Sequence, residues 1–190
     1  MYSSLRSRSK FLHAFMFVAF LLLCAASHAQ QSVPLKKYFI SNSGCQVSLP
    51  AAPDPSEWIY DVDSNKVYTT QAQIMIGQQE CHYAVHILQL KAGAETEELY
   101  DRLTQYLDYI KSQQNVIESS GYKKGNNLLK GKFSSSLSEN WTDHDGQEFS
   151  VMGWAKGRTM AVLYVFCQDG IPPQAGANNF LNSFQFPSGF

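Results

Sequence analysis

The side chains of this 190-residue chain with most chemistry to offer are its histidines, its four cysteines and a few polar clusters. His82 and His86 stand four apart, the spacing at which two imidazoles on one helix share a zinc ion. Their surroundings, Cys81, Tyr83, Val85 and Ile87, alternate as a strand does. On a strand, residues four apart are separated by about 13 Å, at about 3.3 Å per residue. Zn–N bonds of about 2 Å cannot span that distance to one ion. Asp143-His144-Asp145-Gly146, with Glu148, is the densest polar cluster, and a carboxylate-imidazole group of this kind can hold a cation or move a proton. Its Asp-Gly pair also reads as a solvated hairpin turn, and the longer acidic spacing of a calcium-binding loop is missing. Ser120-Gly121-Tyr122-Lys123 matches the Ser-x-x-Lys of some acylated-serine enzymes, but the companion Ser-Asp-Asn and Lys-Thr-Gly motifs are absent. No nucleophile elbow, phosphate loop or dinucleotide fingerprint occurs. These residues assign no catalytic group, no metal site and no cofactor.

Aromatic side chains suit recognition better. Trp58 follows a proline-rich stretch and Trp141 lies beside the Asp145-Gly146 turn, so both are expected at the surface. Tryptophan is enriched at binding hot spots, which makes Trp58 and Trp141 the candidate partner-binding residues. Trp154 alternates with Met152 and is expected in the core.

The elements that must carry these residues follow from periodicity. Extended segments are expected at 38–40 and 45–49, the second ended by three prolines between Pro50 and Pro55. Strands at 66–76 and 81–90 are joined at hairpin length. Leu99, Leu103, Tyr106, Leu107 and Ile110 form one apolar stripe, predicting a helix over 95–113 with acids in its first turn. Strands at 116–124, 128–137, 148–155 and 159–167 follow, and a short helix over 175–184 closes the chain. The run Met160-Ala161-Val162-Leu163-Tyr164-Val165-Phe166-Cys167 has no polar alternation, as expected when both faces of a sheet are covered. Helices are therefore expected on both sides.

Ahead of this domain, Arg6, Arg8 and Lys10 precede an apolar run over 11–26, and Ser27 and Ala29 frame a cleavage site before Gln30. This predicts a cleavable signal peptide over 1–29, a loose leader over 30–37 and a single α+β domain over 38–190. The run is shorter than a spanning helix needs, so no membrane span is expected after cleavage. Cys24 follows three leucines, whereas lipoprotein signals want a small residue there. Cys45, Cys81 and Cys167 remain in the mature chain, and an oxidising compartment favours one disulfide. Sequence leaves the pairing open, with a lean to Cys45–Cys81, which both begin strands in the same half of the domain. A formal net charge of −1, made more acidic by removal of the signal, argues against nucleic-acid partners.

Three stretches are similar to a family of exported bacterial proteins with a PsbP-like (also Mog-like) α/β/α sandwich. They are Gly44-Cys45-Gln46-Val47-Ser48-Leu49-Pro50 with Pro53, Gly157-Arg158-Thr159-Met160-Ala161-Val162-Leu163-Tyr164-Val165, and Asn179-Phe180-Leu181-Asn182-Ser183-Phe184-Gln185-Phe186. The resemblance implies a central antiparallel sheet flanked by helices. It also implies a non-catalytic role, since the better-known relatives dock on a photosynthetic complex or a small GTPase. No binding residue of theirs maps onto this chain. The expectation is an exported, periplasmic or secreted binding module for an envelope or extracellular protein. The alternative is a small exported hydrolase or metal-dependent enzyme whose site is assembled from distant residues.

Overall fold

Strand β10 (Thr159–Cys167) is buried along nearly its whole length and lies in the middle of the main sheet. In the computed structural model the described residues are 32–91, 99–124 and 134–187. The chain divides into Met1–Ser32 and Val33–Phe190, and the second unit carries the fold. The expected signal peptide, the acids expected to open the helix at 95–98 and the Gly125-Asn126-Asn127 turn all lie outside the described residues.

The remaining strands are β1 (Lys36–Phe39), β2 (Gln46–Leu49), β3 (Ile59–Tyr60), β4 (Lys66–Ile76), β5 (Gln79–Gln89), β6 (Val116–Ser119), β7 (Lys123–Lys124), β8 (Ser134–Asp143) and β9 (Glu148–Lys156). The main sheet runs β3-β4-β5-β10-β9-β8-β6, with β7 also paired to β8, and every pairing is antiparallel. Two hairpins, β4–β5 and β9–β10, are joined through the β5–β10 ladder, which bridges residues far apart in sequence. Period-2 alternation sends Cys81, Tyr83, Val85 and Ile87 to one face and Ala84 and Leu88 to the other, so each face has its own core.

Helix α1 (Leu99–Gln113) covers one of these faces. Its stripe of Leu99, Leu103, Tyr106, Leu107 and Ile110 packs with Leu137, Trp141, Phe149, Val151, Val162 and Tyr164. The helix passes close over Gly153, where a Cβ would stand 3.0 Å from Leu103 Cδ1. A side chain there would push Leu103 aside, so glycine suits the close approach of the helix.

The opposite face has a different cover. The β1–β2 ladder lies there, with a 3-10 turn (Pro173–Ala175) and the five-residue helix α2 (Ala177–Leu181). Ile40, Val47, Leu49, Phe180, Leu181 and Phe184 fill this core against Tyr83, Val85, Leu163, Val165 and Trp154. The expected α+β sandwich, a PsbP-like sheet with helices on both faces, is therefore corrected. Antiparallel strand dominates the described residues, and the fold is β-rich. The unbroken apolar strand did report two covered faces, but a buried strand responds to apolar cover of any kind.

The cysteine pairing is corrected too. Cys81 and Cys167 form the disulfide, as directly opposed residues of β5 and β10, and Cys45 is a buried free thiol. Cys45 and Cys81 line the same core, yet only ladder register brings two sulfurs into bonding distance. Burial pushes the Cys45 thiol pKa up, partly offset by its hydrogen bond with Ser43. That keeps it the unreactive thiol form.

Candidate binding surface

Trp58 is partly exposed, and its indole N–H donates to Asn42 Oδ1 at 2.7 Å and Ser41 Oγ at 3.1 Å. Its ring leans on Tyr68, with centroids 5.4 Å apart. The indole is therefore anchored through its N–H while the residue stays partly exposed. The residues that follow extend the apolar margin: Ile59 is 63 % exposed, Tyr60 66 % and Val62 fully exposed. They belong to β3 and its turn into β4, on the outer rim of the sheet.

Trp141 is not part of any surface. It is 1 % exposed and sits under α1, which corrects its assignment as a partner-binding residue. Strand β8 continues to Asp143 rather than ending at Leu137, so Leu137, Glu139 and Trp141 all point towards the helix. Glu139 obscures this in the sequence, because a charge at an inward position breaks the apolar alternation. Its carboxylate is held by Lys111 Nζ at 2.8 Å and the Trp141 indole N–H at 2.7 Å, and it also accepts from the Ser119 hydroxyl. Lys111 lies 4.1 Å from the Tyr122 ring centroid and bonds the Tyr122 hydroxyl, which in turn donates to Asp108. Burial, and then the Asp108 hydrogen bond, hold the Tyr122 pKa far above its ordinary value. Each member of this cluster has a structural partner, and it pins α1 to β8.

The histidines occupy β5 on the α1 side of the sheet. His82 stacks on Phe166, ring centroids 4.6 Å apart, with Glu80 Oε2 at 3.8 Å. His86 lies between Thr69 Oγ1 at 3.4 Å and the Tyr164 hydroxyl at 3.2 Å. Burial pushes its pKa down to about 4, so it is neutral at pH 7. Among the described residues no group of three or more His, Cys, Asp and Glu is placed to hold a metal. Asp143-His144-Asp145-Gly146 forms the β8–β9 turn. Asp143 Oδ1 accepts from the Asp145 and Gln147 backbone N–H, and His144 is open to solvent.

The outer rim has a second feature that sequence reasoning missed. The Asp54 N–H donates to Gln71 O and the Thr70 hydroxyl to Asp54 O, so the chain before β3 shields the first half of β4. Since Gln71 O points outward, so do the backbone groups of Gln73 and Met75. Neither has a backbone partner on that side among the described residues. Two other edge strands are protected: β1 carries Lys36 and Lys37, and β6 carries Glu118 and an irregular register. From Val67 to Ile76, β4 has no charge, no proline and no bulge.

No protein-family model matches the chain, and no curated protein or solved structure is significantly similar to it. No helix among the described residues is long and apolar enough to cross a membrane. The Cys81–Cys167 disulfide is compatible with an oxidising compartment.

Proposed function

We propose that this protein is an exported, non-enzymatic binding module of the cell envelope, delivered by the signal at 1–29. It engages an extended segment of a partner protein along the outer rim of β4. The observation that carries this reading is the unguarded edge at Gln73–Met75, on the same rim of the sheet as the exposed Ile59, Tyr60 and Val62, with the chain at Asp54 lying between the two. An edge of this kind accepts a strand through main-chain hydrogen bonds, and neighbouring apolar side chains give selectivity.

The test is capture of partners from envelope extract by the folded domain and two variants. Gln73→Pro removes an outward N–H while leaving the β4–β5 ladder intact. Tyr60→Lys places a charge on the exposed margin. Both variants should fold and lose the partner that wild type retains. Undiminished capture by both refutes this surface, and the absence of any specific partner, with crosslinking included, refutes the binding role.

A further inference from the structure

A cleft of about 210 Å³ opens on the sheet face that carries β1, β2 and α2. Helix α2 packs chiefly on β2, β9 and β10. Beyond it, the floor changes from apolar to polar, because β8 presents Ser138 and Asn140 on this face and Leu137, Glu139 and Trp141 on the other. Two adjacent cross-strand rows build the floor. Lys123 of β7 pairs with Ser138 of β8, which pairs with Met152 of β9. One pleat along, Asn140 pairs with Ser150, and Ser120 lies against it through its backbone N–H to Asn140 O. Asn178, Leu181 and Asn182 form the α2 wall.

The floor of this cleft offers one cation and several unused donors. The Asn140 amide oxygen is taken by the Ser150 hydroxyl at 3.1 Å, which leaves the Asn140 NH₂ group free. Ser120 Oγ accepts from the Asn140 backbone N–H at 3.0 Å, which leaves the Ser120 hydroxyl hydrogen free. The Ser138 hydroxyl and the Lys123 ammonium have no partner among the described residues. Ser136, one pleat beyond Ser138 on the same strand face, has a buried hydroxyl with no partner. Glu139 also borders the cleft, but its carboxylate turns to Lys111 on the other face. Free donors and one cation therefore line the floor together, and the side-chain amide oxygens of Asn178 and Asn182 stand on the α2 wall opposite.

We infer that this cleft is a binding site for a small oxyanion, a carboxylate or phosphoryl group, held by Lys123, Ser138, Ser120 and Asn140. Lys123 supplies charge, while the hydroxyls and the amide supply directed donors, a combination that makes short charge-assisted hydrogen bonds. Met152 and Leu181 give the body of the ligand an apolar rest. The site lies on a different surface from the β4 rim and does not depend on that reading.

The experiment follows backbone amide shifts of the protein on titration with inorganic phosphate, with acetate, and with chloride at matched ionic strength. Saturable shifts confined to Ser120, Lys123, Ser138, Asn140 and Ser150 are expected, with a dissociation constant on the order of 1 mM. Saturation by phosphate alone marks a phosphoryl site, and saturation by both phosphate and acetate marks a general oxyanion site. Lys123→Met and Ser138→Ala, both surface changes, should keep the wild-type spectrum elsewhere and each weaken binding about tenfold, equivalent to about 1.4 kcal/mol. The inference is overturned if neither anion saturates the site, if chloride reproduces the shifts, or if both variants bind as wild type does.

Discussion

Replacing Cys81 and Cys167 together by alanine tests the central ladder of the fold, because these residues face each other only if β5 and β10 pair in the register described. Their sequence separation is 86 residues. The chain-entropy relation for a loop of that length gives about 15 cal/mol/K lost from the unfolded chain, or about 4.6 kcal/mol at 25 °C. Both side chains are fully buried, so alanine also removes a little packing. For a domain of this size each kcal/mol moves Tm by about 2–4 °C, which predicts a fall of about 10–18 °C. Calorimetry and urea unfolding, with and without reductant, measure it. Wild type should lose a similar amount on reduction, and the double variant should be indifferent to reductant. In the domain beginning at Val33, Cys45 should be the thiol that alkylates without reductant, and only after denaturation. The reasoning is refuted if Cys45→Ala, rather than Cys167→Ala, abolishes the reductant-sensitive stability. That result would mean that Cys45 and Cys81 pair and that the β5–β10 register is wrong.

Two further outcomes follow from buried polar groups. Glu139→Ala should destabilise the domain by about 2–3 kcal/mol in urea unfolding, since it leaves the buried Trp141 indole N–H unpaired and Lys111 with only Asp108 and the Tyr122 hydroxyl. The double change Glu139→Leu with Lys111→Met should recover much of that loss, and no recovery would mean that the carboxylate does more than neutralise Lys111. His86 sets a pH dependence: its folded pKa of about 4 lies below the ordinary 6.5, so the unfolded chain binds the proton more readily. Its contribution is complete above about pH 6.5 and is lost as pH falls towards 4, by at most about 3 kcal/mol. His86→Gln should flatten that part of the stability profile, and an unchanged slope would place the titrating group elsewhere.

How much of this was legible beforehand depended on whether the signal was local. The bounds of β4 and β10 and the stripe of α1 were readable because burial imposes a period of two or of about 3.6 on consecutive residues. The Asp145-Gly146 turn was readable for a similar local reason, since Gly146 takes a φ of 80° that side chains avoid. Strand β8 resisted because Glu139 occupies an inward position, and its justification, Lys111, lies 28 residues away. Trp141 was misplaced as a consequence.

The sequence by itself determined that β4, β5, β9 and β10 extend, that α1 coils, and that β10 has apolar neighbours on both sides. Those properties follow from each residue's preference for water or for its own kind along a few turns or pleats. Only the tertiary structure decided what those neighbours are. The partner of Cys81 depends on ladder register across 86 residues, the cover opposite α1 on where β1, β2 and α2 fold back, and the cleft on α2 lying beside β8 and β9. The unguarded rim of β4 is of the same kind, because an edge exists only once every other strand has found its place.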